Sequence, residues 1–317
     1  MSALARIGRT PLLEIEGVLV KLECSNPGGS VKDRIALFLL ERAAERGELE
    51  PGYTVVEATS GNTGIALSMV ARALGYRALI FMPEHMSVER RRMIESLGAE
   101  VRLTPEADSF AGAIALRDSY RGRAGYYVPD QFGNPDNTLC HRLHTGAELV
   151  AALRERGGSS LDAFVAGVGT GGTLMGVGQA LRAALGGVRV VGVEPAESSV
   201  MSGGPPGSHG IQGIGDGFIP ALVDMEAIDE VVSVSTEEAA DEAHRIRRLH
   251  GYCVGLSSGA NMVAARRLAE RGEVVATVWP DCADRYVSLG LHPPSHDDVR
   301  CPLQSACSER AQAMLGG

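Results

Sequence analysis

Short apolar runs alternate with amphipathic segments along most of the chain. The apolar runs are rich in valine, isoleucine and leucine and are bounded by glycine or polar residues, which predicts buried β-strands. The predicted strands span residues 18–23, 54–58, 77–82, 100–104, 126–128, 163–168, 188–193, 231–234 and 274–279. The predicted helices span residues 63–74, 87–97, 107–120, 173–185 and 259–271, together with a long helix from about residue 138 and one that Ser235 and Glu238 cap and that ends at His250. Because the strands are almost continuously apolar and alternate with helices, they indicate an α/β protein with parallel sheets covered on both faces.

The stretch from residue 26 to 34 reads Asn-Pro-Gly-Gly-Ser-Val-Lys-Asp-Arg and predicts a tight turn followed by a helix. Ser30 is the expected N-cap, with Asp33 three residues further on. Lys32 then lies in the first turn, at the positive end of the helix dipole, where a cation is disfavoured. The local field lowers the pKa of such a lysine, and a neutral amine can attack a carbonyl carbon.

Lysine is almost absent from the chain, because only Lys21 and Lys32 among the 30 lysine and arginine residues are lysines. Arginine cannot lose its proton in a protein, so it cannot serve as a Schiff-base amine. A functional role for Lys32 is therefore one interpretation, and an ordinary charge that escaped a drift towards arginine is the other. Lys21 lies within the apolar run 18–22, and we expect it to be structural.

The overall charge and the cysteines exclude several classes of function. A net charge of −9 and a pI near 5.4 argue against a surface for nucleic acid or anionic membranes. No apolar run is long enough to span a bilayer and the N-terminus lacks a signal-peptide pattern, so we expect a soluble cytoplasmic protein. The six cysteines are scattered without a Cys-x-x-Cys pair, which favours neither a disulfide framework nor a metal site.

Two predicted strand-to-helix turns are rich in glycine and can present free N–H groups to an anion. The first, residues 59–64, combines backbone donors with hydroxyls and the Asn62 amide, which suits a carboxylate. The second, residues 167–173, has glycines that permit close backbone approach and threonine hydroxyls that suit a phosphate. This second turn also matches G-x-G-x-x-G, and Glu194 follows at about the spacing of a dinucleotide-binding acid. A nicotinamide-dependent oxidoreductase is therefore an alternative of a different class.

Several segments together resemble the cysteine synthase family of fold type II pyridoxal-phosphate (PLP) enzymes, which includes O-acetylserine sulfhydrylase and cystathionine β-synthase. The matching segments are Lys21-Leu22-Glu23 and residues 26–34, 59–64, 131–137, 169–173, 255–260 and 280–286. The segment 26–34 resembles the family's lysine motif, and the segment 280–286 resembles its C-terminal signature. The chain departs from the family pattern at His144, Ala147 and Ala283. None of these positions carries a chemical group that the family uses at its site, so the departures affect the expected substrate preference and not the expected cofactor.

The resemblance implies a role for each matched residue. Lys32 would be the catalytic lysine that holds PLP, while Asn62 would bind the phenolic oxygen of PLP and Ser257 its pyridine nitrogen. The implied phosphate-binding residues are Gly169, Thr170, Gly171, Gly172 and Thr173. The implied substrate-binding residues are Thr59, Ser60, Gly61, Asn62, Thr63 and Gln131. A serine hydroxyl at the pyridine nitrogen leaves the ring neutral, which makes it a weaker electron sink and disfavours racemisation and transamination.

The resemblance also implies a fold and an activity. The fold is tryptophan synthase β-like, with three-layer αβα domains over residues 1–137 and 138–291, an extension over 292–317, and a strand 18–23 that could cross to the other sheet. The activity is β-replacement, in which O-acetyl-L-serine and sulfide give L-cysteine through an aminoacrylate. A homodimer and docking of a serine acetyltransferase C-terminal tail are further implications. The alternatives are cystathionine β-synthase or another β-replacement that uses O-phosphoserine or thiosulfate, and a non-catalytic homologue that binds a partner.

The preferred leaving group depends on charge, because acetate needs little cationic assistance whereas phosphate needs a nearby cation. The matched segments contain few cations: Arg34 belongs to the lysine motif, and residues 90–92 lie on a separate predicted helix. The loop 203–218, which we expect at the mouth of the pocket, contains His209 and Asp216 but no arginine or lysine. We therefore expect O-acetylserine to be a better donor than O-phosphoserine.

Overall fold

The computed structural model describes residues 3–59, 61–84, 88–157 and 160–286, so Ser60 and the predicted extension 292–317 lie outside the described residues. The strands are β1 (Leu12–Ile15), β2 (Val18–Lys21), β3 (Thr54–Ala58), β4 (Arg77–Pro83), β5 (Glu100–Thr104), β6 (Tyr126–Tyr127), β7 (Ala163–Gly167), β8 (Arg189–Pro195), β9 (Glu230–Val234) and β10 (Val275–Val278). The helices are α1 (Lys32–Glu45), α2 (Asn62–Leu74), α3 (Val88–Ser96), α4 (Ser109–Asp118), α5 (Asp136–Cys140), α6 (Ala147–Glu155), α7 (Gly172–Leu185), α8 (Thr236–His250) and α9 (Leu256–Ala269). Each predicted strand is present, within two residues of its predicted bounds.

The strands form two sheets. The larger sheet has the order β1-β2-β10-β7-β8-β9, and the smaller sheet has the order β5-β4-β3-β6. Neighbouring strands are parallel except for β1 and β2, which form an antiparallel hairpin at one edge of the larger sheet. Strand β2 thus belongs to a sheet whose other central strands come from the second half of the chain.

Strand β1 is an element that the sequence pattern did not predict. It has four residues and is only partly buried, so it lacks the continuous apolar run of the central strands. The hairpin turn consists of Glu16 and Gly17, with φ angles of 52° and 78°. A two-residue type I′ hairpin turn requires two successive residues in the left-handed conformation. The Glu-Gly pair was the sequence signal that could have predicted this turn.

Helices cover both faces of each sheet. Helices α8 and α9 bury one face of the larger sheet, around Val165, Ile246 and Leu268, and α6 and α7 bury the other. Helices α1, α2 and α3 cover one face of the smaller sheet, and α4 packs through Ala113 on the other. Two three-layer αβα units result, which confirms the predicted layer architecture. The residue boundaries of the two domains stay a prediction.

The predicted capping of α1 is wrong, whereas that of α8 is confirmed. Helix α1 begins at Lys32, and Ser30 Oγ accepts from the Lys32 backbone N–H at 3.3 Å. The Asp33 carboxylate accepts a hydrogen bond from the backbone N–H of Gly28 at 2.5 Å. It therefore closes the preceding turn and does not complete a capping box with Ser30. In α8, Ser235 and Glu238 form the expected reciprocal capping box.

The long helix predicted from about residue 138 changes its winding. Helix α5 ends at Cys140, a π-helical turn spans His141–Gly146, and α6 continues to Glu155. A single π-turn inside an α-helix is uncommon and frequently marks a functional site. It lies against α7, whose first turn borders the cavity described below.

A set of four charged side chains, three of them buried and Glu148 half-buried, joins the start of the chain to α6. We call Lys21, Glu23, Arg34 and Glu148 the charge cluster. The Arg34 guanidinium donates to Glu23 at 2.6 and 2.8 Å and to Glu148 at 2.7 and 2.8 Å. The Lys21 ammonium donates to Glu148 at 2.7 Å. The two cations and two carboxylates balance, and Lys21 has the structural position expected of it.

The carboxylates of the charge cluster stay ionised. Burial opposes ionisation of Glu148, but the hydrogen bonds and charge of Arg34 and Lys21 outweigh it and lower the pKa of Glu148 to about 2. The same balance between burial and Arg34 lowers the pKa of Glu23. Removing one partner from such a group leaves an unpaired charge in the interior, which is far more costly than losing a surface pair.

We expect Arg34→Met to lower the free energy of unfolding by about 3–5 kcal/mol, because it leaves the buried Glu23 carboxylate without its cationic partner and removes one of the two cations that pair with Glu148. Arg42→Met is the matched control on the same helix. The Arg42 side chain is 41% exposed and pairs with Glu45 at 3.0 Å, so its loss should cost about 1 kcal/mol or less. Denaturant titration of both variants measures the difference. Equal losses would contradict a special role for the charge cluster.

Candidate active site

A cavity lies between the two sheets, at the carboxyl ends of their parallel strands. Much of its wall comes from residues that follow β3, β7 and β10 and from the first turns of α1, α2, α7 and α9. The predicted site residues on these walls are Lys32, Thr59, Gly61, Asn62, Thr63, Gln131, Gly169, Thr170, Gly171, Thr173 and Ser257. Gly172 lies behind the wall, at the start of α7. Ligands of open α/β folds bind at this end of the strands.

Lys32 is the first residue of α1 and faces the cavity. Enclosure by protein lowers the pKa of its amine, and the carboxylates of Asp216 and Asp281 partly oppose that shift. A lowered pKa makes the neutral, nucleophilic amine easier to reach near neutral pH. Lys21, by contrast, is bound within the charge cluster and does not border the cavity.

The turn that precedes Lys32 is held by the segment after β10. The Val31 N–H donates to the Pro280 carbonyl at 2.8 Å, and Ser30 forms a β-bridge with Asp281. The Arg285 guanidinium donates to the Gly28 carbonyl at 2.9 Å. The segment around residues 280–286 therefore fixes the lysine turn from the other end of the chain.

Gln131 contacts the loop that was predicted to bind a carboxylate. The Thr63 hydroxyl donates to Gln131 Oε1 at 2.6 Å, which leaves the Gln131 amide N–H groups available as donors. The Gln131 backbone N–H donates to the buried Glu57 carboxylate at 3.2 Å. Glu57 also accepts from Arg117 at 3.0 Å, so the ion pair anchors the segment that carries Gln131. The structure thus brings the predicted loop and Gln131 together.

Asn137 joins this substrate loop to the phosphate cradle that the sequence predicts. Its side-chain amide donates to the Gln131 carbonyl at 2.8 Å and to Thr170 Oγ1 at 3.1 Å. A Cβ at Gly172 would overlap the Asn137 side chain, so glycine is required there for this contact. Gly172 therefore supports the cradle from behind.

The predicted phosphate cradle has the backbone that an anion site needs. A Cβ at Gly169 would collide with the Gly213 carbonyl oxygen, and Gly171 has a φ of 85° that favours glycine. Helix α7 begins immediately afterwards, and the positive end of its dipole faces the cavity. Thr170 and Thr173 add hydroxyls on the same wall. The arrangement fits a phosphate group.

Ser257 is distinguished from its neighbour by position. It lies in the first turn of α9 on the cavity wall. Ser258 points away, and its hydroxyl lies 3.5 Å from the Asp281 carbonyl. Of the two adjacent serines, Ser257 is the one that can contact a bound molecule.

Asn62 is oriented by two residues of the C-terminal segment. Its Nδ2 donates to Asp281 Oδ2 at 2.7 Å, and its Oδ1 accepts from Arg285 at 2.5 Å. An amide nitrogen carries two protons, so one proton of Nδ2 remains for a further acceptor. This geometry is compatible with the predicted contact to a ring oxygen, which stays a prediction.

Arg90, Tyr286 and Asp216 lie on the cavity wall but were not among the predicted site residues. The Arg90 guanidinium lies over the Tyr286 ring, 4.9 Å from its centroid. The Tyr286 hydroxyl donates to Asp281 at 2.6 Å. Arg90 was expected on a separate helix, and α3 is that helix, but the fold turns its side chain towards the cavity. No local pattern marks this arginine among its neighbours.

Asp216 places a carboxyl group in the loop at the cavity mouth, where the loop 203–218 was expected to lie. Enclosure by the cavity walls raises the pKa of Asp216, and the charges of Lys32 and His209 partly oppose the shift. The cavity wall therefore carries the Asp216 carboxyl group as well as the Lys32 amine.

These features define an α/β enzyme whose cavity is bordered by a lysine amine and by two loops that are predicted to bind anions. Helices cover both faces of two mainly parallel sheets, and the site forms where the sheets meet. The chain belongs to the family of pyridoxal-phosphate dependent enzymes, whose model matches residues 4–279.

The chain is similar to named members of this family over almost its whole length. A cysteine synthase from Staphylococcus aureus (strain Mu50 / ATCC 700699) is 45% identical over 303 residues, which cover 92% of this chain and 96% of the relative. The crystal structure of a cysteine synthase from Entamoeba histolytica is 36% identical, with a TM-score of 0.86 and coverage of 98% of this chain and 95% of that one. The structure of an O-acetylserine dependent cystathionine β-synthase from Helicobacter pylori is 37% identical, with a TM-score of 0.86 and coverage of 92% and 99%.

The comparisons confirm the family and the fold type that the motifs predicted, and they favour this family over the nicotinamide-dependent alternative. Among the described helices, none is long and apolar enough to cross a membrane. Within the same part of the chain, no three histidine, cysteine or acidic side chains are grouped as metal ligands would be.

Proposed function

We propose that this protein is a cysteine synthase that uses PLP to make L-cysteine from O-acetyl-L-serine and sulfide. One observation carries the proposal: Lys32, the Thr59–Thr63 loop with Gln131, and the glycine-rich cradle border a single cavity. The named activities of the similar proteins support it. A homodimer, a cytoplasmic location and docking of a serine acetyltransferase tail belong to the proposal through the family resemblance.

The residues present fit PLP. The cradle from Gly169 to Thr173 would hold the phosphate, and Ser257 would face the ring nitrogen. Lys32 would hold the aldehyde carbon through its amine. When bound, PLP supplies that aldehyde and an electron sink for the α-carbon of an amino acid.

The chain's own residues would then bind the substrate and move its proton. The backbone N–H groups of Asn62 and Thr63 and the Gln131 side-chain amide would hold the substrate carboxylate. Lys32 Nζ would take the α-proton, the acetate group would leave from the β-carbon, and sulfide would form the new carbon–sulfur bond. Lys32 would finally return the proton to the α-carbon.

The purified protein should be yellow, and borohydride reduction should attach the cofactor to Lys32. Lys32→Ala should lose at least about a thousandfold in kcat, because it removes both the covalent anchor and the base. Peptide mass spectrometry of the reduced wild-type protein locates the label. Lys21, the other lysine of the chain, is the internal control. A label on Lys21, or no label, would show that the assignment of Lys32 is wrong.

Ser257→Asp should still bind PLP but lose most of its β-replacement activity, because a carboxylate would stabilise the protonated form of the ring nitrogen and redistribute the reaction paths. Ser257→Ala is the matched control, since it removes the hydroxyl without adding a charge. We expect the alanine variant to retain more activity than the aspartate variant in a steady-state assay. A near-wild-type rate for Ser257→Asp would refute the importance of a neutral ring.

The charges around the cavity favour a substrate with an uncharged acetyl ester over one with an anionic phosphate ester. The described charged side chains on its wall are Lys32, Arg90 and Asp216. Arg34 is unavailable, because it is bound to two carboxylates of the charge cluster. Arg90 lies against the Tyr286 ring and its charge faces Asp281. A phosphate that approaches Asp216 would meet repulsion without a dedicated partner.

O-Acetylserine should therefore have a higher kcat/KM than O-phosphoserine. Asp216→Asn should reduce the ratio of kcat/KM for O-acetylserine to kcat/KM for O-phosphoserine by about tenfold, equivalent to about 1.4 kcal/mol. The substitution removes a negative charge that repels the phosphate. Glu226→Gln is the matched control, because Glu226 is exposed and lies outside the cavity wall. Steady-state kinetics with sulfide measure kcat/KM for both donors in all three proteins, and a parallel assay with homocysteine tests the cystathionine β-synthase alternative. A higher kcat/KM for O-phosphoserine would overturn the argument.

A further inference from the structure

His141 belongs to a hydrogen-bonded chain that ends on the cavity wall. The imidazole is almost fully buried, at 1% exposure. Its Nδ1 lies 2.9 Å from Thr145 Oγ1, and its Nε2 lies 3.2 Å from Thr173 Oγ1. Thr173 in turn faces the cavity from the first turn of α7. The chain therefore connects the interior of the π-helical turn to a hydroxyl of the predicted phosphate cradle.

The packing of two helices brings the imidazole to Thr173. His141 opens the π-helical turn, and the facing surface of α7 carries a glycine. A Cβ at Gly176 would collide with the Thr138 carbonyl oxygen and would lie 2.7 Å from His141 Cβ. Gly146, at the end of the π-turn, leaves no room for a Cβ beside Ala180. Both close approaches depend on glycine and hold the ring at this place.

The imidazole is neutral at physiological pH. Burial lowers the pKa of His141 to about 3, and the charges of Lys32 and Arg34 act in the same direction. Glu23 opposes the shift, and His144 adds to it slightly. A neutral imidazole donates one hydrogen bond and accepts another, so its tautomer decides what each hydroxyl can do.

The two tautomers have opposite consequences for the cavity. With its proton on Nε2, His141 donates to Thr173 Oγ1, and the Thr173 hydroxyl is free to donate into the cavity. With its proton on Nδ1, His141 draws the Thr173 proton towards Nε2, and Thr173 presents lone pairs to the cavity. Lone pairs repel an anion, so the first tautomer is the one that suits a phosphate.

We propose that His141 is a positioning residue that orients the Thr173 hydroxyl as a donor to the cofactor's phosphate. Thr145 donates to Nδ1 and thereby keeps the imidazole proton on Nε2. Three hydrogen bonds then point the same way, and each polarises the next. The inference rests on the proposed function, because it takes the ligand of the cradle to be a phosphate.

Two substitutions separate the two ring nitrogens. In His141→Gln the amide nitrogen lies near the former Nε2 and can donate to Thr173, whereas in His141→Asn it lies near the former Nδ1 and cannot. We expect His141→Asn to release PLP from the holoenzyme about three- to tenfold faster than the wild type, the usual effect of one hydrogen bond. His141→Gln should stay within about twofold of the wild type. In a Thr173→Val background, His141→Asn should have no further effect.

The pH dependence gives a second readout. The unfolded chain should bind a proton at His141 below a pH of about 6.5, whereas the folded protein does so near pH 3. Between these values the unfolded state holds more protons, so the free energy of unfolding falls as the pH decreases. In both His141 variants, this contribution to the pH dependence of the free energy of unfolding should be absent. The contribution of His141 to the PLP release rate should stay constant when the pH of the buffer is varied from 6 to 8, because the imidazole remains neutral over that range.

Three results would overturn the proposal. The first is an equal rate of PLP release from the wild type and His141→Asn. The second is that His141→Asn and Thr173→Val have additive effects on the release rate. The third is a release rate that slows below pH 6.5 in the wild type but not in His141→Gln. The last would indicate a charged imidazole. A wild-type protein that holds no PLP would refute the proposed function instead. Inorganic phosphate is then the probe, and its protection against thermal unfolding should be lost in His141→Asn and kept in His141→Gln.

Discussion

The pairing of the buried Arg34 guanidinium with two carboxylates is the constraint on which the cavity depends. Arg34 and Lys32 lie in the same turn of α1, so a guanidinium fixed between Glu23 and Glu148 also fixes the direction in which the lysine side chain leaves the helix. Glu23 follows β2 and Glu148 lies in the first turn of α6. A buried ion pair is a weak source of net stability, and its main effect here is to set the position of α1 relative to both.

The two loops that are predicted to bind anions are joined by side chains as well as by the fold. Thr63 donates to Gln131, and Asn137 connects the Gln131 carbonyl to Thr170. One loop follows a strand of the smaller sheet and the other a strand of the larger sheet. These bonds hold the two loops at a fixed separation, which a ligand spanning the cavity needs before any reaction begins.

The parts of the site that are local in the chain could be predicted from the sequence. Lys32 and the loops 59–64 and 167–173 combine turn residues, polar donors and a change from strand to helix within a few positions. Arg90 and His141 carry no such pattern, because their importance comes from helices that tertiary packing turns towards the cavity. The same limit applies to the fold: strands buried on both faces form continuous apolar runs, whereas the half-exposed edge strand β1 does not.

The entry of β2 into the larger sheet has a consequence for how the protein is made. Val18 of β2 aligns with Val275 of β10, and the turn before Lys32 is completed by Pro280 and Arg285. A ribosome delivers the amino end first, so these partners arrive after almost all of the described chain. The smaller sheet can form earlier, since its four strands are consecutive in the chain. A nascent molecule therefore passes through a stage that has one assembled sheet but no pocket around its lysine.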